Sequence, residues 1–349
     1  MTLASNVSHP TALNNRQQLR RASQVIRKLL FHRSDLDKLE ILRALPFTER
    51  PISWLEQRHP TTYGAVLTAL GLYHPIFIDH LPHRQRAGHS PDVHPVISAM
   101  VEAQRERYME LLGCFLAYLP RLSAVAMRGS RDGIAPYWDN GWLPPLDAFA
   151  LYGFMAHVNP GRYVEIGSGS STKFARQAVT DHGLRTQITS IDPKPRASVD
   201  AVCDTVIRQP LELADLSLFS DLEAGDIVFF DGSHRVFSGS DVTVFFLEVL
   251  PRLRPGVLVH VHDVFLPADY PPEWRCRYYS EQHLLAAFLL ASPGRFRVEW
   301  PAAFIGRDAE LHARLDPLRR VIGPAPEYQP GSFWLRLCDD PAAPGTGQS

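Results

Sequence analysis

The chain has 349 residues, 45% of them hydrophobic, and its 36 basic and 37 acidic side chains leave a net charge of -1. This length suits one large or two ordinary domains, and the neutral balance argues against a nucleic-acid partner. The four cysteines form no CxxC pair, which argues against a disulfide framework and a cysteine-rich zinc site. There is no apolar signal core and no run of 18 uncharged apolar residues, so we expect a cytoplasmic protein without a membrane span.

Residues 1–130 are predicted to form a helical N-terminal region. Apolar residues recur at three- and four-residue spacing from Ile97 through Tyr108 and Leu112 to Phe115, which predicts one long amphipathic helix. We expect this region to act as a cap, a ligand-binding element or a homodimer interface. Residues 131–338 then form the main domain, and the polar, Pro- and Gly-rich residues 339–349 form a disordered tail.

From about residue 140 the pattern alternates between short apolar runs and helical segments. The runs are "RYVEIG", "QITSID", "CDTVIRQ", "DIVFFD" and "GVLVHVHD", with "FRVEWP" and "GSFWLRL" as a late pair. Strands that alternate with helices predict an α/β fold with a doubly wound, Rossmann-like, mostly parallel sheet covered on both faces.

The strand ends carry the candidate functional groups. Ligands of such sheets bind at the carboxyl ends of the strands. Four of the first five strands place a carboxylate there, namely Glu165, Asp192, Asp231 and Asp263. The repetition indicates a binding site at this edge.

The loop after the first strand, Gly167-Ser168-Gly169-Ser170-Ser171-Thr172, departs from the dinucleotide-binding fingerprint. Thr172 occupies the position of the third glycine, and Glu165 would repel a phosphate but receive an ammonium group. Asp192 lies 23 residues after Gly169, a distance typical of an acid that binds ribose hydroxyls. A ligand with a ribose and an ammonium group but no phosphate is S-adenosylmethionine (SAM).

These segments carry a resemblance to a known family. The motifs "VEIGSGSST", "SIDPKPR", "DIVFFDGSH", "LRPGVLVHVHDVFLP" and "GSFWLRL" are together similar to class I SAM-dependent methyltransferases, in particular to the bacterial group described as methyltransferase family 24. The resemblance implies a seven-stranded sheet with a reversed last strand. It also implies a SAM site that we assign to Glu165, Gly167, Ser168, Gly169, Ser171, Thr172, Asp192 and Asp231.

Two alternatives describe how a hydroxyl acceptor would be activated. In the first, Asp231 and Asp263 share Mg²⁺ or another divalent cation, and His234 or His262 would shift the preference toward Mn, Fe or Zn. In the second, His234 removes the hydroxyl proton and Asp231 or Asp263 orients it. His262 belongs to the same candidate catalytic group, whereas strand alternation predicts a structural role for His260.

Aromatic residues predict the acceptor side. The resemblance implies that the segment before the first strand covers the cofactor, with Trp142, Asp147 and Tyr152 as candidate lining, and we also assign Trp142 and Tyr152 to the acceptor side. The loop after the fifth strand supplies Tyr270, Tyr279 and Glu281. Aromatic walls favour a small organic acceptor over a nucleic acid. The leading hypothesis is therefore O-methylation of a small molecule. The alternatives are N-methylation of a small molecule or peptide, a nicotinamide-dependent oxidoreductase, and a non-catalytic binding module with this fold.

Overall fold

The computed structural model describes residues 93–292, 294–323 and 329–339. The predictions for residues 1–92, with the homodimer interface expected there, and for the tail from residue 340 onward fall outside these residues. Over the described ranges, no helix has the length and apolar character needed to cross a membrane.

One sheet organises the described chain. Its strands are β1 (Arg162–Ile166), β2 (Gln187–Ile191), β3 (Thr205–Ile207), β4 (Ile227–Phe230), β5 (Leu258–Val261), β6 (Phe296–Pro301) and β7 (Phe333–Leu337). They lie in the order β3-β2-β1-β4-β5-β7-β6. The first five strands are parallel, and β7 runs antiparallel to both neighbours. The structure confirms the seven-stranded, mostly parallel, Rossmann-like sheet with a reversed last strand.

The central strands β4 and β5 are buried along their whole length, "IVFF" and "LVHV". Continuous burial follows from helices on both faces of a parallel sheet, which leaves no solvent side for polar residues. The strand order changes direction between β1 and β4: β2 and β3 follow on one side of this pair, and β5, β7 and β6 lie on the other side. Ligands of open α/β sheets bind at such a switch point.

The predicted long helix before the sheet is three helices, α1 (Pro95–Glu102), α2 (Arg105–Leu116) and α3 (Leu119–Leu122). The backbone leaves the helical region at Gln104 (φ -104°, ψ 14°), and Pro120 opens α3, where its missing N–H costs no helical hydrogen bond. Phe115 packs edge-on against Phe149 and Phe154, so these helices share a core with the sheet domain. The domain division at residue 130 stays a prediction.

Eight further helices flank the sheet over the described residues. They are α4 (Pro145–Val158), α5 (Ser170–His182), α6 (Ser217–Ser220), α7 (Asp241–Val244), α8 (Glu281–Ala291), α9 (Ala302–Arg307), α10 (Ala309–Ala313) and α11 (Asp316–Ile322). Helix α7 continues as a π-helical turn, Phe245–Val249, and a 3-10 turn, Leu250–Arg252.

Candidate active site

The glycine loop after β1 is pressed against the end of β4. Gly167 has φ +81°, and a Cβ added there would lie 1.8 Å from the backbone oxygen of Asp231. Only glycine fits this conformation and this contact. The loop and the end of β4 therefore form one wall, in which Asp231 is fixed beside Gly167.

Glu165 stabilises this loop through hydrogen bonds on the side that faces the sheet interior. Its side chain is fully buried, Tyr163 donates its hydroxyl to Oε1 at 3.1 Å, and Thr172 donates its hydroxyl to Oε2. The Thr172 oxygen in turn accepts the Gly169 N–H at 3.0 Å. Burial raises the pKa of Glu165 to about 7. The structure thus places Glu165 and Thr172 beneath the loop, outside the residues that line the adjacent cavity.

Asp192 joins two loops at the end of β2. One carboxylate oxygen accepts the Ser168 N–H at 2.8 Å, and the other accepts the Lys194 N–H at 2.7 Å. A carboxylate oxygen can accept more than one hydrogen bond, so the side chain keeps capacity for ligand hydroxyls.

A cavity of about 340 Å³ opens above these loops. Its volume falls in the ~300–1,000 Å³ range of small-molecule sites. Six of the predicted cofactor residues line it, namely Gly167, Ser168, Gly169, Ser171, Asp192 and Asp231. The wall also contains residues that the sequence analysis missed, among them Arg131, Lys173, Lys194, Arg196 and Leu211. Lys194 and Arg196 follow Asp192 in "DPKPR", which was a usable signal; no pattern pointed to Arg131 or Lys173.

His234 lies at the end of β4, between three carboxylates. Its Nδ1 is 2.5 Å from Glu281 Oε1, and its Nε2 is 3.3 Å from Asp231 Oδ1 and 3.5 Å from Asp263 Oδ2. Tyr279 stacks on the imidazole at a centroid distance of 4.4 Å. Burial acts to lower the pKa of His234, but Glu281 and Asp231 outweigh it and raise that pKa well above its ordinary value. Asp231 or Asp263 was the expected orienting partner, and the shortest contact is instead with Glu281.

His262 lies beside the same acids at the end of β5. Its Nδ1 is 3.3 Å from Asp263 Oδ1 and 3.8 Å from Asp231 Oδ1, and its Nε2 is 3.4 Å from Asp147 Oδ2. Asp147, on α4, also accepts the N–H groups of Gly331 and Ser332. Burial acts to lower the pKa of His262, and the neighbouring Asp263 and Asp231 raise it well above its ordinary value.

Three of these residues have donor atoms arranged for a metal ion. One oxygen of Asp231, one oxygen of Asp263 and one nitrogen of His262 all lie within 4.8 Å of one another. Four carboxyl groups, those of Asp147, Asp231, Asp263 and Glu281, surround two imidazoles, and burial raises the pKa of Glu281 to about 7. The acids outnumber the histidines, which makes the cluster a candidate for binding a cation. Two carboxylates and an imidazole fit a divalent cation of the Mn, Fe or Zn type.

Two residues of this cluster have unusual backbones. His234 has φ +65° and Asp263 has φ +57°, a region that non-glycine residues occupy at a cost of about 1–3 kcal/mol. Each side chain faces the same group of acids. Strain at two strand ends that meet in one cluster supports a functional role for it.

The other predicted site residues are distributed between the cluster, the cavity and the core. Tyr279 contacts His234, Trp142 lines the cavity, and the Tyr270 hydroxyl accepts the N–H of Gln282. Tyr152 does not reach the site, since its hydroxyl donates to Asp181 at 2.7 Å. His260 is fully buried, stacks on Phe229 and lies 2.8 Å from the Ser332 hydroxyl, as a structural histidine does.

Comparisons with known proteins agree with this arrangement. Residues 164–264 match the family model described as a methyltransferase domain. An uncharacterized protein of Archaeoglobus fulgidus is 36% identical over 93 residues, which are 25% of this chain and 42% of that protein. The chain thus spans less than half the length of this curated relative. The segment that matches the family model includes the glycine loop, Asp192, Asp231 and the His262-Asp263 pair, and over these residues the chain is similar to a methyltransferase domain.

Two solved structures show weaker likeness. The SAH-bound methyltransferase PaMTH1 of Podospora anserina is 17% identical, covering 55% of this chain and 78% of its own, with a TM-score of 0.34. The plantazolicin methyltransferase BpumL in complex with SAH is 13% identical, covering 70% of this chain and 99% of its own, with a TM-score of 0.35.

Proposed function

We propose that the protein is a SAM-dependent methyltransferase that methylates a hydroxyl group of a small-molecule acceptor. One observation carries the proposal: Asp231 lines the cavity formed by the glycine loop and Asp192, and it also contacts His234 at 3.3 Å. A cofactor in the cavity and an acceptor beside the histidine cluster would therefore meet at Asp231.

When bound, SAM supplies a methyl group already activated on a sulfonium. The residues of the chain then have to hold both reactants in line and exclude water. The Asp192 carboxylate would accept the ribose hydroxyls, and the Gly167-Ser168-Gly169 backbone would approach the amino-acid part closely. The excess of carboxylates near Asp231 favours a positively charged ligand at this end of the cavity.

A hydroxyl acceptor must lose its proton, and the histidine cluster supports that step. Nδ1 of His234 is held by Glu281, which leaves Nε2 on the side of Asp231 and Asp263. Because the surrounding carboxylates raise the pKa of His234, the imidazole is mostly protonated near neutral pH, and Nε2 would take the acceptor proton only from the neutral form. An amine acceptor, which the N-methylation alternative requires, has less need of such a base.

A divalent cation would bind Asp231, His262 and Asp263, and it would polarise the acceptor oxygen. The cation and the base remain alternatives in this geometry, because both would use the space between Asp231 and Asp263. We propose His234 as the proton acceptor and leave the need for a cation to a direct test.

Cofactor identity is tested by thermal melting of the full chain with S-adenosylhomocysteine (SAH) or NADH. Ligand at 100 times its dissociation constant should stabilise the fold by about 2.7 kcal/mol. We expect SAH to raise the melting temperature, NADH to leave it unchanged, and Asp192→Ala to abolish the effect of SAH. A shift with NADH alone would replace the methyltransferase proposal by the oxidoreductase.

The acceptor and the cation are tested by SAH formation with paired alcohols and amines as acceptors. We expect turnover with hydroxyl compounds and its loss in His234→Ala. Full turnover in EDTA would remove the cation, whereas activity lost in EDTA and restored by Mn²⁺ would establish it. Titration of the chain with Mn²⁺ alone, with Asp263→Asn as the control, measures cation binding independently of turnover.

A further inference from the structure

The turn before α4 is held rigid by one buried side chain. The amide of Asn140 donates to the carbonyl oxygens of Tyr137, Trp138 and Leu143. Its Oδ1 accepts the N–H groups of Trp142 and Leu143 at 3.0 and 2.7 Å. With five hydrogen bonds made by a single residue, the backbone of Trp142 has a fixed position.

This rigid turn presents an exposed aromatic ring to the cavity. Trp142 is 48% exposed, whereas its neighbours Trp138 and Leu143 are only 2% and 4% exposed. Its ring lines the cavity. A half-exposed indole at a cavity wall offers a flat apolar surface on which another aromatic ring can pack.

Trp142 lies against the loop that follows Asp192, away from the contacts of the histidine cluster. The guanidinium of Arg196 lies 4.3 Å from the indole centroid and that of Arg131 lies 5.9 Å from it. Arg196 belongs to the loop that follows Asp192, and the Arg131 carbonyl accepts the N–H of Ser198 from the same loop. Trp142 therefore packs against the loop that follows Asp192 and lines the same cavity, on the side where a base attached to a ribose at Asp192 could reach it.

We propose that Trp142 stacks on the adenine ring of the bound cofactor, with Arg196 packed against the indole as a support. This assignment rests on the proposed SAM site, and it gives Trp142 a contact with the adenine of the cofactor rather than with the acceptor. Stacking of a base on an aromatic side chain contributes about 1–3 kcal/mol by alanine substitution. At 1.4 kcal/mol per tenfold change, this predicts about a 5- to 150-fold loss of affinity in Trp142→Ala.

The test is calorimetric titration of the full chain with SAH and with 5′-methylthioadenosine, which has the adenine and ribose but no amino-acid part. We expect Trp142→Ala to weaken both ligands by the same factor and Trp142→Phe to keep most of the affinity. Both ligands should also change the fluorescence of the wild-type chain, and Trp142→Phe should lose that change. Leu247→Ala, which truncates an apolar side chain that is 60% exposed and absent from the cavity wall, is the matched control and should bind as the wild type does.

The outcomes separate this inference from the proposed function. Wild-type affinity for both ligands in Trp142→Ala would refute the stacking and leave the methyltransferase proposal intact. Weakening of SAH alone would assign Trp142 to the amino-acid part and also refute it. A wild-type chain that binds neither ligand would remove both proposals together.

Discussion

Replacing Gly167 by alanine tests the contact between the glycine loop and the end of β4. Two costs add. A non-glycine residue in the left-handed region costs about 1–2 kcal/mol, and a methyl group forced into filled space costs about 1–3 kcal/mol. The added Cβ would lie 1.8 Å from a backbone oxygen, that of Asp231, which cannot rotate away. We expect Gly167→Ala to lower the free energy of unfolding by about 2–5 kcal/mol.

The measurement is urea unfolding of the wild-type and variant chains, repeated with saturating SAH. Relief of the clash has to move the loop or Asp231, so the stabilisation by SAH should also be lost. Gly113→Ala is the matched control, because a Cβ added there on α2 meets no atom within 4 Å. It should gain about 0.5–1 kcal/mol from helix propensity. If Gly167→Ala unfolds at the wild-type urea concentration, the Asp231 carbonyl does not fill this space and the two loops are not in contact.

Three further substitutions test the buried charges. Glu299→Gln should lower the free energy of unfolding by about 3 kcal/mol, since the fully buried carboxylate pairs with Arg107, Arg297 and Arg336; in urea melts the exposed Glu110→Gln should change it by less than about 1 kcal/mol. Asp147→Asn should cost about 1–3 kcal/mol, because one of its two bonds to backbone N–H groups would face an amide NH₂ instead; circular-dichroism melts measure this, and an unchanged melt contradicts it. Burial raises the pKa of Glu165 from 4.5 to about 7, so the folded state holds that proton more tightly than the unfolded state does. The free energy of unfolding should then fall as pH rises from 4.5 to about 7, and Glu165→Gln should flatten this slope in urea melts across that interval.

Much of the sheet followed from local sequence. "DIVFFD" and "RYVEIG" are short β-branched or aromatic runs bounded by polar residues, and β4 and β1 occupy them to within one residue at either end. Parallel strands also bring their ends to one edge, so the meeting of Asp192 with the glycine loop and of Asp231 with Asp263 could be expected. These relationships depend on strand direction alone.

The contacts that lie outside the strands could not be derived in this way. Glu165 lies near the end of β1, and the surrounding sequence did not indicate that the hydroxyls of Tyr163 and Thr172 would donate hydrogen bonds to its carboxylate. Glu281 reaches His234 across 47 residues, through a loop whose path no periodicity describes. The hydroxyl of Tyr152 bonds to Asp181, and this could not be derived because α4 is buried around most of its surface, so its sequence does not show which face meets the cavity.

The position of the reversed strand β7 matters while the chain is being synthesised. Among the strands of the described residues it is the last in the chain, yet it lies between β5 and β6 in the sheet. Until Phe333–Leu337 are made, β5 has an open edge and β6 has no strand beside it. The Asp147 carboxylate also has no backbone donors from Gly331 and Ser332 until those residues are made. A nascent chain therefore exposes the unpaired edges of β5 and β6, which are prone to pair with other chains, until β7 is made and pairs with both.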